Sequence, residues 1–131
     1  MKAVTLQTSG ENRGHYMPGM IAGGMLYISG QLSLDPGTRK VTEGGIREHM
    51  RQALANLDAV LRAAGVTRED VVQCRVYIAG IGGWDDANDE YRNFFGDHKP
   101  ARIIVSTQEL HFGCLVEIEA VAECAQKGAE S

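Results

Sequence analysis

The sequence predicts an α+β two-layer sandwich: a mixed β-sheet with two helices packed on one face, in the order β-β-(β)-α-β-α-β-β. Three observations carry this. Segments 44–64 and 84–95 place apolar side chains at three- and four-residue spacing, the mark of an amphipathic helix. The segments around them alternate apolar and polar residues, as half-buried strands do. Strand–helix–strand crossovers are nearly always right-handed, so both helices fall on the same side of the sheet.

In chain order, residues 3–8 alternate (Val4 and Leu6 against Thr5 and Gln7) and read as a strand. Residues 10–24, with five glycines and Pro18, read as a loop, and residues 25–31 as a strand ending in Ser29-Gly30-Gln31. Asp35-Pro36-Gly37 is a turn signal that closes a hairpin with a short strand near Lys40 and Val41. The first helix, 44–64, lines up Ile46, Met50, Ala53, Leu54, Leu57, Val60, Leu61 and Ala64, and Gly65 follows where a left-handed terminator belongs. Thr67 and Asp70 have capping-box spacing. In strand 71–78, Val72, Cys74, Val76 and Ile78 share one face, and Gln73, Arg75 and Tyr77 the other. The second helix, 84–95, carries Trp84, Ala87, Tyr91, Phe94 and Phe95 as its stripe, with Asp85 and Asp86 suiting the dipole at its start and Gly96 at its end. Residues 101–107 and 114–123 are the last strands.

The final strand points Val116, Ile118, Ala120 and Ala122 one way and Leu115, Glu117, Glu119, Val121 and Glu123 the other. Two readings of the second face stand: a subunit interface carrying a polar site, or a solvated sheet face with a few exposed apolar groups.

A length of 131 residues suits one domain spanning the chain. A net charge of −4 argues against a phosphate-driven nucleic-acid binder. No basic and apolar leader opens the chain, and residues 17–29 are too short and too glycine-rich to span a bilayer. Cys74, Cys114 and Cys124 form no C-x-x-C pair and read as reduced thiols of a cytoplasmic protein. His15, His49, His98 and His111 are dispersed without metal-ligand spacing, so no metal is expected. Sixteen glycines are an excess; most punctuate turns and helix ends, while Gly14, Gly19 and Gly30 fall in or beside an expected ligand cleft.

Two residues are out of place for their strands. Arg102 opens an apolar strand after Pro100-Ala101, and Glu117 interrupts another. Together they form either a structural ion pair or a two-part site, in which the guanidinium forks a ligand carboxylate beside an acid/base glutamate.

Blocks spread over residues 16–122 resemble the YjgF superfamily, also called the Rid family of reactive-intermediate deaminases. They are Tyr27-Ile28-Ser29-Gly30-Gln31 with Asp35-Pro36, Arg51-Gln52-Ala53-Leu54-Ala55-Asn56-Leu57, Asn88-Asp89-Glu90-Tyr91 with Phe94-Phe95-Gly96, Lys99-Pro100-Ala101-Arg102, and Val116-Glu117-Ile118-Glu119-Ala120. The resemblance implies a chorismate-mutase-like homotrimer with sites in clefts between subunits. It implies cofactor-free hydrolysis of 2-enamine or 2-imino acids to 2-keto acids and ammonia. By the same resemblance Arg102 binds the substrate carboxylate, Glu117 holds or activates water, and Tyr16, the tyrosine of the N-terminal loop, is the third catalytic residue. Ser29 and Gly30 border the pocket, Asn88 is the family asparagine of the second helix, and Ile104 stands where the best-studied subgroup has cysteine. The Tyr16 loop reads Gly14-His15-Tyr16-Met17-Pro18-Gly19, where relatives have Gly-Pro-Tyr-Ser-Gln-Ala, and His111-Phe112 replaces a Pro-Lys pair. Two other classes of function are a non-catalytic regulator that binds small carboxylates and the endoribonuclease or translation-inhibitor label carried by some relatives.

Overall fold

A computed structural model describes residues 1–6 and 14–124. Six strands form one sheet: β1 (Lys2–Val4), β2 (Gly19–Ala22), β3 (Met25–Leu32), β4 (Val71–Ala79), β5 (Ala101–Thr107) and β6 (Val116–Glu123). Their spatial order is β1-β2-β3-β6-β4-β5. Only the β4–β5 pair is parallel, as the α2 crossover demands, so the sheet is mixed. The helices α1 (Ile46–Ala63) and α2 (Trp84–Phe95) cover one face. The predicted fold class is the observed one.

The apolar stripe of α1 is the core. Met50, Ala53, Leu57, Val60 and Leu61 are fully buried against Leu26, Val76, Ile78, Val116 and Ile118 of the sheet. Burying each large aliphatic side chain is worth about 1.5–3 kcal/mol. The ends of α1 follow its sequence signals: the Glu48 carboxylate accepts the Gly45 N–H at 2.9 Å, and Gly65 takes φ +80°. Asp70 accepts the Thr67 N–H at 2.9 Å around a 3₁₀ turn.

Four expectations need correction. Within the predicted loop 10–24, residues 19–22 form β2, paired with β1 and β3 on its two sides. The first strand covers Lys2–Val4, shorter than 3–8, and Gln7 and Thr8 lie outside the described residues. The strand expected at Lys40 and Val41 is a single bridge, Leu34 to Val41, beside an Asp35 turn whose carboxylate accepts the N–H groups of Gly37 and Thr38. Val72 does not share the core face. A register shift against β6 between Val71 and Gln73 buries Val71 (1% exposed) and turns Val72 out (47%).

The helices are also tied by charge. Arg51 donates to both oxygens of Glu90 at 3.0 Å, and Arg47 adds a bond at 3.2 Å. Hydrogen bonds from Arg51 and then Arg47 hold the Glu90 carboxyl below its usual range against the cost of burial. This fork fixes where α2 lies on α1, and with it the position of Asn88.

His49 is buried (2% exposed). Its Nδ1 accepts the Leu115 N–H at 3.2 Å and lies 2.6 Å from Ser33 Oγ, so Nδ1 carries no proton and the ring is neutral. Burial lowers its pKa from 6.5, partly opposed by a backbone bond with Thr42 and the charge of Glu48. The unfolded chain therefore binds a proton near pH 6.5 that the folded chain refuses, and stability is lost as pH falls below that value. One such group tilts the unfolding free energy by at most about 1.4 kcal/mol per pH unit. We expect the urea midpoint to be flat from pH 8 to about 7 and to fall between about 6.5 and 5.5, above the carboxylate range. In His49→Leu the fall in that window should vanish. A flat wild-type profile over the same window would refute the assignment.

Candidate functional site

Arg102 is the second residue of the edge strand β5. Its register partner is Cys74, which pairs in turn with Ala120, and both are buried on the helix side. The Arg102 side chain therefore enters the helix layer. There α2 presents Trp84, Asn88 and Tyr91, spaced i, i+4, i+7 on one face. Arg102 Nη1 donates to Asn88 Oδ1 at 2.7 Å. The guanidinium carbon lies 4.9 Å from the Tyr91 ring centre and 5.6 Å from that of Trp84. A cation on aromatic faces gains about 0.5–2 kcal/mol. Among the described residues no carboxylate lies within ion-pair distance of Arg102, and Asn88 is its one hydrogen-bond acceptor. The group is a cation gripped on one edge and backed by two rings, with its remaining donors open. A cavity of about 370 Å³ adjoins it, lined also by His98, Lys99 and Arg92.

Burial pushes the Cys74 thiol beneath Tyr91 up to about 11, which removes it as a nucleophile at neutral pH. Ile104, two residues beyond Arg102, is in register with Val76 and packs against the core.

Glu117 stands on the opposite face. Its β6 neighbours Val116 and Ile118 are fully buried, and its register partners are Tyr77 on β4 and Leu32 on β3. Burial raises its pKa above 4.5, the like charge of Glu119 adds to this, and His111 opposes both. Gly30 lies against the Glu117 carboxylate so closely that a Cβ there would overlap Oε2. A break in the β3–β6 register between Ile28 and Gln31 allows that approach. Ser29 anchors the Tyr16 loop to β3: Oγ donates to Met17 O at 2.6 Å and its N–H to Pro18 O at 3.0 Å. Tyr16, half-exposed, and Gly30 line one cavity of about 590 Å³ with Met17, Leu32, Leu34 and Asn56.

The predicted residues thus fall into two groups. Tyr16, Ser29, Gly30 and Glu117 gather at the β3–β6 end. Asn88, Arg102 and Ile104 gather at the β5 edge. Arg102 and Glu117 are not an ion pair. β4 lies between their strands, a separation of about 10 Å, and the Arg102 row meets β6 at Ala120, about 10 Å along the strand from Glu117. Their side chains leave opposite faces. Sequence reading assigned Trp84 and Tyr91 to the core stripe and missed them as the cradle of Arg102; their spacing about Asn88 was the available signal. Among the described residues, no three His, Cys, Asp or Glu side chains are grouped to hold a metal, and no helix is long and apolar enough to cross a membrane.

The family model described as Endoribonuclease L-PSP matches residues 7–124. A RutC family protein of Pyrococcus horikoshii is 38% identical over 109 residues, covering 83% of this chain and 86% of its own. The human 2-iminobutanoate/2-iminopropanoate deaminase is 36% identical over 109 residues, 83% of this chain and 80% of its own. Among solved structures, the E. coli YjgF gene product superposes with a TM-score of 0.86 at 30% identity, and E. coli TdcF with bound serine with 0.86 at 28%; each match covers 94% of this chain and 98% of the other.

Proposed function

The chain belongs to the endoribonuclease L-PSP family of YjgF, RutC and RidA proteins, and on that premise we propose that it hydrolyses 2-imino acids and their 2-enamine tautomers to 2-keto acids and ammonia, in clefts between the subunits of a homotrimer. The family includes 2-iminobutanoate/2-iminopropanoate deaminases. The observation that supports the reading most is the state of Arg102: a cation with no counter-charge among the described residues, held by Asn88 and two rings, with donors left to fork one carboxylate.

Arg102 and Glu117 leave opposite faces of one sheet, so a small substrate meets both only if one copy supplies the arginine and another the glutamate. Tyr27, Ile103 and Val105, exposed apolar residues on the Glu117 face, support such an interface. In the cleft Arg102 fixes the substrate carboxylate and Glu117 receives water. The water oxygen bonds to the imine carbon, the C=N π pair moves to nitrogen, and one water proton passes to Glu117. Glu117 returns that proton to nitrogen. The hydroxyl proton then passes through Glu117 to the same nitrogen, the C–N bond breaks as the oxygen pair forms the keto group, and nitrogen leaves as ammonia. Orientation supplies much of the acceleration, because the imine carbon is already electrophilic. The apolar walls near Tyr16, Met17, Leu32 and Leu34 suit an aliphatic substrate side chain. The three free, buried thiols accord with a reducing, cytoplasmic setting.

The test generates imino acids in situ from several amino acids and follows keto-acid release with and without the protein. We expect acceleration, and a trimer by sedimentation. No acceleration with any side chain would overturn the reading, as would an Arg102 or Glu117 variant that matches wild type. Tight keto-acid binding without turnover, surviving Glu117→Gln, would replace it with a carboxylate-binding regulator.

A further inference from the structure

Glu117 and Glu119 project from the same face of β6, two residues apart. Across on β4, Tyr77 is in register with Glu117 and Arg75 with Glu119. The Tyr77 hydroxyl does not bond the residue opposite it. It reaches diagonally and donates to Glu119 Oε2 at 2.6 Å, a short charge-assisted bond. The two carboxylates are therefore unequal: Glu119 has a donor, and Glu117 has no hydrogen-bond partner among the described residues.

We propose that Tyr77 and Glu119 are positioning residues for Glu117: the bond from the Tyr77 hydroxyl holds the Glu119 carboxylate beside Glu117, and that neighbouring charge makes Glu117 the one of the pair that takes up the proton released by attacking water. When two carboxylates share a site, the proton goes to the one whose charge is less well stabilised. Here that is Glu117, whose charged form burial also disfavours. The charged and titratable groups facing it can be named from each element. They are Glu119 on β6, Tyr77 and Arg75 on β4, and His111 on the turn leading into β6, whereas β3 presents Gly30 and Leu32. His111 acts against Glu119. Its ring lies tilted against that of Phe112, centroids 3.7 Å apart, and Phe112 holds a left-handed φ of 62°. Glu117 thus sits between one group that strengthens it as a base and one that keeps it ionised enough to act. The inference rests on the reading of Glu117 as the base, and deepens it.

The experiment follows the Glu117 carboxyl by carbon-13 NMR titration in full-length wild type, Glu119→Gln and Tyr77→Phe, alongside the pH profile of kcat/KM. Tyr77→Phe keeps the ring and removes only the donor. In Glu119→Gln the Glu117 midpoint should fall by at least about half a pH unit, and the acid limb of kcat/KM should move down with it. In Tyr77→Phe, where Glu119 loses the bond that holds it, the Glu117 midpoint should fall by less. A Glu117 midpoint that stays put in both variants overturns the proposed coupling. A midpoint that moves while Glu117→Gln retains full activity leaves the electrostatics standing and overturns the base role on which the proposal depends.

Discussion

Arg102→Ala is expected to lower kcat/KM for 2-imino acids by about 10²–10³-fold while lowering the unfolding temperature by only a few degrees. The magnitude follows from the bonds lost. Two charge-assisted hydrogen bonds to a carboxylate are worth about 3–4 kcal/mol together, and each 1.4 kcal/mol is a factor of ten. The small effect on stability follows from the pairing. Arg102 makes no ion pair among the described residues, so its loss strands no buried carboxylate. Arg102→Lys should recover little of the activity, because an ammonium offers neither the two parallel donors nor the flat face that lies over Tyr91 and Trp84. Steady-state kinetics and thermal melts of the two variants check this. An Arg102→Ala enzyme within about threefold of wild type would remove the arginine from the mechanism, since one charge-assisted bond alone is worth more than that.

The arginine was legible in the sequence and its surroundings were not, for definable reasons. A charged residue in an apolar strand stands out in any reading. Whether it pairs with Glu117 depends on strand order and parity. Placing β4 between β5 and β6 puts residue 102 in line with residue 120, on the opposite face from residue 117. No local pattern encodes that. The helices were legible because their stripes repeat over 18 and 12 residues. Strand β2 was not, because its four residues lie between glycines and owe their conformation to β1 and β3 on either side. The sequence places Gly19 in or beside a ligand cleft. In the fold its missing side chain lets Leu26, Val60 and Val4 close to 3.1–3.3 Å from where a Cβ would stand. The alternation of β4 was read one residue out of step at Val72, because a bulge leaves no signature in residue type. The cradle of Arg102 is hidden for the converse reason: Trp84 and Tyr91 fit the core stripe of α2, and that fit masks their second role.

Gly30 is the position where a single methyl group should separate activity from stability. A Cβ built there overlaps Glu117 Oε2 and lies 3.1 Å from Glu117 Cδ, but meets no backbone. The obstruction is the far end of a flexible, half-buried side chain. In Gly30→Ala the sheet can therefore keep its register while the carboxylate swings away. A displacement of roughly 1 Å at a catalytic group costs on the order of 10²-fold in rate. We expect Gly30→Ala to lose about that much in kcat, with its melting temperature and circular dichroism nearly unchanged. If the methyl acts only through Glu117, the double variant with Glu117→Gln should be no slower than Glu117→Gln alone, because the two substitutions disable the same group. Fully multiplicative losses would mean that Gly30 serves the substrate directly, as a surface against which the ligand packs. A Gly30→Ala protein with wild-type kcat would mean that the Glu117 carboxylate does its work from another position than the one beside Gly30, and the placement of the water with it would have to be redrawn.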